Sequence, residues 1–541
     1  MKTFISSLLI ITNVLFAQFG SQDSGGKLIP EQACYDVKFY EVDLTIIPTE
    51  KAIGGTVSIT ARATQNFRDI ILDLDQNLNL DLIEWLNGSG NLIYFHEQGK
   101  IKISFPKEII TNQLFTLIIS YSGLPRTPKR PPWDDGFIWQ KTNNGEDWVT
   151  LTCQGGGADI WLPCKDHPSD EPDSVSLRFT VPDNLICVAS GKFISSIHNS
   201  NSTKTWNWLV STPINNYNIV FYLGPYKSIE HEFKSITGNK FPFTIWTLPE
   251  NYEKAKTHSL QFIQHMKIME ELIGPYPFRA DKYSVVETPH LGMEHQTAIA
   301  YGFGWKNHKD FEFDWLHHHE FSHEWWGNLV TAKDWSDFWI HEGLGTYMQP
   351  LYLEKVFGKD KYISYLKSIK RFSNQKPVAP RGKKTAGESY MLDVYYKSAW
   401  IIHTLRFYLG DEVFFKVLRR WAYITPEMEL ATDGSQCRIT TTEELIDIAE
   451  KISQQKLNWF FEVYLRHASI PKLHYQKDSQ KLTLWWEVEE NLPFQLPVEI
   501  KIGDKITRIN ISTSKSEIII PNNSEFVIDP NETVLMDLIK N

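Results

Sequence analysis

Cysteine is scarce in this sequence, with 5 in 541 residues: Cys34, Cys153, Cys164, Cys187 and Cys437. An odd, scattered set without short paired spacings excludes a disulfide-built scaffold and a zinc finger. It leaves room for one disulfide that the sequence does not assign. A basic block is missing too. The net charge of -10 is spread over both signs, so the electrostatic footprint of a DNA- or RNA-binding protein is absent. No internal repeat or low-complexity tract is found. Nor does any apolar run reach the ~18 to 20 residues that span a bilayer. The nearest approach, Phe4 to Ala17 (FISSLLIITNVLFA), contains Ser, Thr and Asn, follows Met1-Lys2 and gives way to polar QFGSQDSGGK. A positive start, an apolar middle and a small residue read as a cleaved secretory signal over residues 1–20, with an uncleaved anchor as the alternative. The expectation is a secreted or periplasmic protein without stable membrane insertion.

What is there suffices for a large globular protein. The chain exceeds the size at which one hydrophobic core keeps growing, so two to four domains are expected, with 42% apolar residues to build them. From about Lys38 to Tyr226 apolar residues alternate. In YEVDLTI, Tyr40, Val42, Leu44 and Ile46 share one face while Glu41, Asp43 and Thr45 share the other. From about Phe241 the period becomes helical, as in NYEKAKTHSLQFIQHMKIMEELIGPYP, which stops at Gly274-Pro275. Alternation returns in KLTLWWEVEE and PVEIKIGDKITRINIS. The fold class expected is α+β and multidomain: an N-terminal β domain (28–228), an α-rich domain (229–470) and a small C-terminal β-sandwich (471–541). The 19 Trp and 22 Tyr fit aromatic-rich cores and peptide pockets better than sugar stacking.

One stretch carries chemistry. WLHHHEFSHEWWGN, Trp315 to Asn328, places His319 and His323 four residues apart, one above the other on a helical face. His319-Glu320-Phe321-Ser322-His323 matches H-E-x-x-H, in which two imidazoles hold zinc and the glutamate stands beside the reacting water. Glu342 follows His323 after eighteen intervening residues, in WSDFWIHEGLGTYM. A helix, a turn and an antiparallel helix would return its carboxylate over the two imidazoles. Two nitrogens, one oxygen and an open fourth position describe a catalytic zinc site for one ion. His317 and His318 fall on other faces and read as core histidines, and Glu324, Trp325 and Trp326 read as packing around the site. Such a site favours hydrolysis with Glu320 as general base, and does not by itself separate an endopeptidase from an exopeptidase.

Upstream lies ETPHLGMEHQTAIAYG, Glu287 to Gly302, and downstream DVYYKSAWIIHTL. HExxH-x18-E preceded by a G-x-M-E-N-like segment and followed by Y-x-K-G-A-like residues resembles the gluzincin zinc aminopeptidases, the family of aminopeptidase N and leukotriene hydrolase. The resemblance extends to CQGGGADIWLPCKDHPSDEPDSVSLRFTVP and to WFFEVYLRHASIPKL. It implies a thermolysin-like catalytic domain, a zinc cofactor and peptide substrates with a free N-terminus. It further implies that Glu294 binds the substrate's α-amino group, with Gln154 as a second amine-binding position. Gly292 and Met293 would line the pocket for the first side chain, and Tyr395, rather than its neighbour Tyr396, would stabilise the tetrahedral oxyanion. A buried ammonium needs such a fixed carboxylate, because charge-assisted hydrogen bonds replace its hydration.

There are departures from the pattern. His295 stands where the family has Asn, Leu291 where it has Gly, and Ser398 where it has Gly. None removes a zinc ligand, the base or the amine anchor, and what they bear on is substrate preference. The family's large C-terminal helical domain is missing, since the roughly seventy residues after Leu473 alternate as strands. A thermolysin-type endopeptidase and a non-catalytic zinc-dependent peptide-binding protein are the alternatives, and an epoxide-opening side activity has no specific support in these residues.

Overall fold

The computed structural model describes residues 23–521 and 524–541. The expected signal segment therefore lies outside the described residues. Among those described, no helix is long and apolar enough to cross a membrane. All five cysteines are free thiols, so the disulfide for which the sequence left room is not formed.

The N-terminal part is built on a seven-stranded sheet in which Tyr35–Ile47 lies centrally, paired antiparallel with Ala52–Ala63 and parallel with Ser174–Pro182. The alternation seen in the sequence is the burial pattern: Tyr40, Val42, Leu44 and Ile46 are buried while Glu41 and Thr45 are exposed. A period of two turns one face of the strand to the core and the other to solvent. A four-stranded sheet of Ile186–Ala189, Phe221–Gly224, Asp147–Thr152 and Gly136–Lys141 packs against it through Trp161, Phe179 and Phe221. Its Asp147–Thr152 strand ends two residues before Gln154.

The change to helical period comes later than the sequence suggests. Lys240–Thr247 is a strand, part of a five-stranded mixed sheet with Lys227–Lys234, Tyr283–Glu287, Ile299–Tyr301 and the two-residue edge strand Gly292–Met293. FPFTIWT is short and aromatic, and a run of that length fits either period until its pairing partner is known. The first helices are Tyr252–His258 and Leu260–Leu272.

Three helices then position the candidate site. Trp315–Ser322 opens on Asp314, whose side chain accepts from the His317 amide. Trp339–Phe357 and Asp393–Leu409 follow and pack closely side by side. The link from His323 to Trp339 is more than a turn. It contains the strand Val330–Ala332, paired with Arg438–Thr440, and a short 3-10 turn at Trp335–Asp337. The C-terminal residues form two small sheets. One holds Lys472–Asp478, Lys481–Glu487, Ser516–Ile519 and Asp537–Lys540, the other Gln495–Ile502, Lys505–Ser512 and Phe526–Ile528. The Trp486 indole joins them by donating to the Leu496 carbonyl. Aromatic residues fill the interior, with Trp161, Trp325, Trp326, Trp339, Trp400 and Trp421 among the fully buried side chains.

Candidate active site

Helical spacing brings His319 and His323 together, and the first turn of the Trp339–Phe357 helix brings Glu342 to them. The two Nε2 atoms are 3.3 Å apart, and Glu342 Oε2 lies 3.3 Å from His319 Nε2 and 3.5 Å from His323 Nε2. Zinc bonds of ~2.0 to 2.1 Å at tetrahedral angles put donor atoms ~3.3 to 3.4 Å apart. The triangle therefore has the edges a zinc ion needs. Glu342 Oε2 is buried and receives no hydrogen bond, the mark of an atom reserved for another partner. His323 Nδ1 donates to the Trp326 carbonyl at 2.8 Å, which leaves its Nε2 lone pair facing the other two donors. Burial alone would raise the Glu342 carboxyl, yet the neighbouring His323 and His319 imidazoles hold it well below its ordinary value. Among the described residues this is the one group of three donors close enough to hold a metal.

Two glycines let the chain come this close. A side-chain carbon on Gly292 would sit 2.6 Å from Glu320 Oε1, so the edge strand Gly292–Met293 lies directly against that carboxylate. One on Gly345 would sit 3.1 Å from the His323 ring. Burial pushes the Glu320 carboxyl well above its ordinary value, and the nearby Glu294 and Glu342 charges add to this. A divalent cation in the triangle would offset that repulsion.

Glu294 is buried, at 3% exposure, rather than a surface turn residue. Its Oε1 accepts from the Gln154 amide and, at 3.1 Å, from the Tyr217 hydroxyl. Asn328 donates to its carbonyl at 3.0 Å. The turn behind it is pinned at Thr297, whose φ of +62° is unusual for a β-branched residue. The Thr297 amide donates to Glu324 Oε1 at 2.8 Å, and Lys282 and Ser284 donate to its carbonyl. Glu324 thus holds the loop that presents Glu294, and burial raises its carboxyl to about 8. Sequence reasoning missed Tyr217 as a partner of Glu294; NNYNIV carries no motif that would single it out.

Tyr395 and Tyr396 separate in space. The Tyr395 ring stacks on His319 with centroids 5.9 Å apart, whereas the Tyr396 hydroxyl accepts from Arg371. Both line the cavity. Both also lie in the first turn of the helix that starts at Asp393. His317 and His318 are core residues as expected: His317 stacks on Phe262 at 3.5 Å and bonds His265 and Tyr283, and His318 is fully buried. His295 points away from the cavity. Its ring bonds the Tyr222 hydroxyl at 2.6 Å, so this departure is absorbed by packing.

These groups surround a cavity of about 290 Å³ between the N-terminal sheets and the helices. Gln154, Glu294, Glu320, Glu342, Tyr395 and the two imidazoles of His319 and His323 all face it, together with Gly292 and Met293. Much of the remaining wall is aromatic, including Trp133, Trp335, Phe338 and Tyr390, and among the described residues no lysine or arginine lines it. The arrangement can hold a divalent metal, accept a cationic amine and bury apolar side chains.

Residues 37–217 match the peptidase M1 N-terminal domain and residues 306–464 the peptidase family M1 domain. Among similar proteins, leukotriene A-4 hydrolase of Xenopus laevis is 22% identical over 349 residues, 60% of this chain and 53% of that protein. Leucine aminopeptidase 2 of Vanderwaltozyma polyspora is 28% identical over 233 residues, 41% and 32% of the two chains. Transcription initiation factor TFIID subunit 2 of Drosophila melanogaster is 20% identical over 351 residues, 59% and 27%. The chain thus spans between 27% and 53% of these relatives. An M1 zinc metallopeptidase from Deinococcus radiodurans shares the fold with a TM-score of 0.65 at 22% identity, covering 81% of this chain and 94% of that one. A glutamate-to-alanine mutant of it bound to a Tyr-Ser-Ala substrate superposes with a TM-score of 0.66 at 22% identity, covering 82% and 98%. Two domains of one family, matched in order over more than half of its length and seated on that family's fold, mean that the chain belongs to peptidase family M1.

Proposed function

We propose that the protein is a zinc aminopeptidase, removing single residues from the free N-terminus of peptides. The observation that carries this reading is the buried Glu294 carboxylate facing the same cavity as the His319–His323–Glu342 triangle, with Gln154 and Tyr217 donating to it. A buried acid with room beside it suits an ammonium group, and an endopeptidase would gain nothing from it. The aminopeptidase named among its relatives and the zinc metallopeptidases among its structural neighbours support the same reading.

In this reading His319, His323 and Glu342 hold one zinc ion, which supplies Lewis acidity toward the scissile carbonyl and a water molecule. Glu294 and Gln154 bind the ammonium and fix the distance to the first peptide bond, so that only that bond reaches the reacting position. Glu320 takes a proton from the attacking water and returns it to the leaving amine, roles its place beside the metal-binding triangle and in the cavity wall allows. Tyr395, stacked on His319, donates its hydroxyl proton in a hydrogen bond to the oxyanion. Trp335, Phe338 and Tyr390 wall the amine side of the cavity, which suits a large apolar first side chain. The reading divides the chain into an N-terminal β domain (28–228), a thermolysin-like catalytic domain (229–470) and a C-terminal β-sandwich (471–541). The FISSLLIITNVLFA signal would place it outside the cytoplasm.

The test compares hydrolysis of leucyl and phenylalanyl peptides with their N-acetylated forms by zinc-loaded protein. Strong preference for the free amine is expected, and equal rates would hand the site to the endopeptidase alternative.

A further inference from the structure

The first described residues do not hang free. Asp23–Lys27 is threaded between the two parts of the chain that form the cavity. On the N-terminal side the Ser24 amide donates to the Gly155 carbonyl at 2.9 Å, and His167 bonds the Gly26 carbonyl. On the other side the Ala386 amide donates to the Ser24 carbonyl at 3.0 Å and Gly26 donates to the Lys384 carbonyl. Gly25 pairs with Thr385, and the Gly387 amide donates to the Asp23 carboxylate. The Trp335 indole donates to the Ser24 hydroxyl at 3.3 Å. Gly155, Trp335 and Ala386, the residues so gripped, all line the cavity, and Gly155 directly follows Gln154.

The strap has no slack. Gly25 has φ +81° and a side-chain carbon there would run into the Trp335 ring; Gly26 has φ +86° with Thr385 3.1 Å from where its side chain would begin. Ser24 is 4% exposed. From the other side, Asp135 accepts from the amides of Gly155 and Gly156, so the Gln154 loop is clamped between that carboxylate and the strap. Backbone bonds of this kind transmit position, because a segment bonded to both walls fixes the gap between them.

We propose that Asp23–Lys27 is a positioning strap of the active site: it sets the spacing between the Gln154–Gly155 loop and the Trp335–Ala386 wall, and so the fit of the substrate's amine end. The proposal rests on the aminopeptidase reading above for what enters that gap. It assigns to this segment, far in sequence from the site motifs, control over how well free-amine substrates bind.

The experiment uses zinc-loaded full-length protein and its Gly25→Val, Ser24→Ala and Ser24→Thr variants, with phenylalanyl-glycine amide and its N-acetylated form as substrates. Gly25→Val is expected to raise KM for the free-amine substrate about tenfold or more with kcat changed by less than about threefold, zinc content unchanged and hydrolysis of the acetylated form unaffected. Ser24→Ala should shift KM the same way by a smaller factor, and Ser24→Thr, which keeps the hydroxyl, should restore it. Should Gly25→Val fail to fold, the Ser24 pair decides alone. Variants that melt earlier but keep the parent's KM would overturn the proposal and leave the strap a plain tether. Loss of free-amine preference in the parent itself would sink the aminopeptidase reading instead, so the two failures are distinct.

Discussion

Glu294 shows how much a single carboxylate can decide. It is buried beside Gln154 and Tyr217 and faces the same cavity as the histidine–glutamate triangle, yet it is no part of that triangle. Replacing it by alanine should leave the zinc bound and Glu320 in place, because neither depends on its oxygens. The loss should fall on substrates with a free amine: about a tenfold to few-hundredfold drop in kcat/KM, or ~1.5 to 3 kcal/mol for a charge-assisted contact. N-acetylated peptides should change little or improve. Metal analysis with steady-state kinetics on both substrate types checks this, and a Glu294→Ala protein as active as its parent on free amines would reduce GMEH to a turn. At this scale the residues with motif spacing, His319, Glu320, His323 and Glu342, are legible because helix geometry alone puts the two histidines on one face and the motif fixes the glutamates around them. Tyr217 and Glu324 are not, since their roles arise from chain crossings that local spacing does not encode.

Between helices the close packing of Trp339–Phe357 and Asp393–Leu409 holds two cavity-lining groups in register, since Glu342 rides on one and Tyr395 on the other. A side-chain carbon on Gly343 would overlap Ser398 Cβ and approach the Val394 carbonyl at 3.2 Å. The small residues at 343 and 398 set how near these helices come. Gly343→Ala is therefore expected to destabilise the protein by about 1 to 3 kcal/mol, the usual cost of overpacking, and to weaken zinc retention through its neighbour Glu342. Adding Ser398→Gly removes the overlap. The double variant should recover about 1 kcal/mol or more relative to the sum of the single changes, as directly touching sites do. Denaturation midpoints of the four proteins measure the coupling, and strict additivity would show that the crossing has room to spare. The strands with clean alternation were readable from the chain alone, as YEVDLTI shows. Lys240–Thr247 and the edge strand Gly292–Met293 were not, because the first is too short and aromatic for its period to speak and the second exists only through its pairing with Ile299–Tyr301.

Across the whole molecule, the C-terminal strands act on the site through the Asp393–Leu409 helix, which carries Tyr395. The C-terminal part braces this helix from behind: the Leu535 amide donates to Thr404, His403 bonds the Glu532 carbonyl, and Arg508 donates to the Tyr408 carbonyl. Lys397 on the same helix donates to the Ala468 carbonyl, just before the first C-terminal strand. Lys397, the lysine of the Y-x-K-G-A-like stretch, is thus a tie between the helix and the C-terminal part. Burial lowers its ammonium from 10.5 to about 8, against the opposing pull of Asp393, Glu489 and Asp537. Between pH 8 and 10.5 the unfolded chain binds a proton there that the folded chain does not. Stability should therefore rise with pH across that window, by at most about 1.4 kcal/mol per unit, and the cost of burying the charge should be felt in full below it. Lys397→Met keeps the stem and removes the proton. The difference in urea midpoint between parent and variant, measured from pH 7 to 10, cancels every other titrating group. It should be flat below pH 8 and shift in favour of the parent above it, whereas parallel curves throughout would mean that Lys397 reaches solvent and ties nothing.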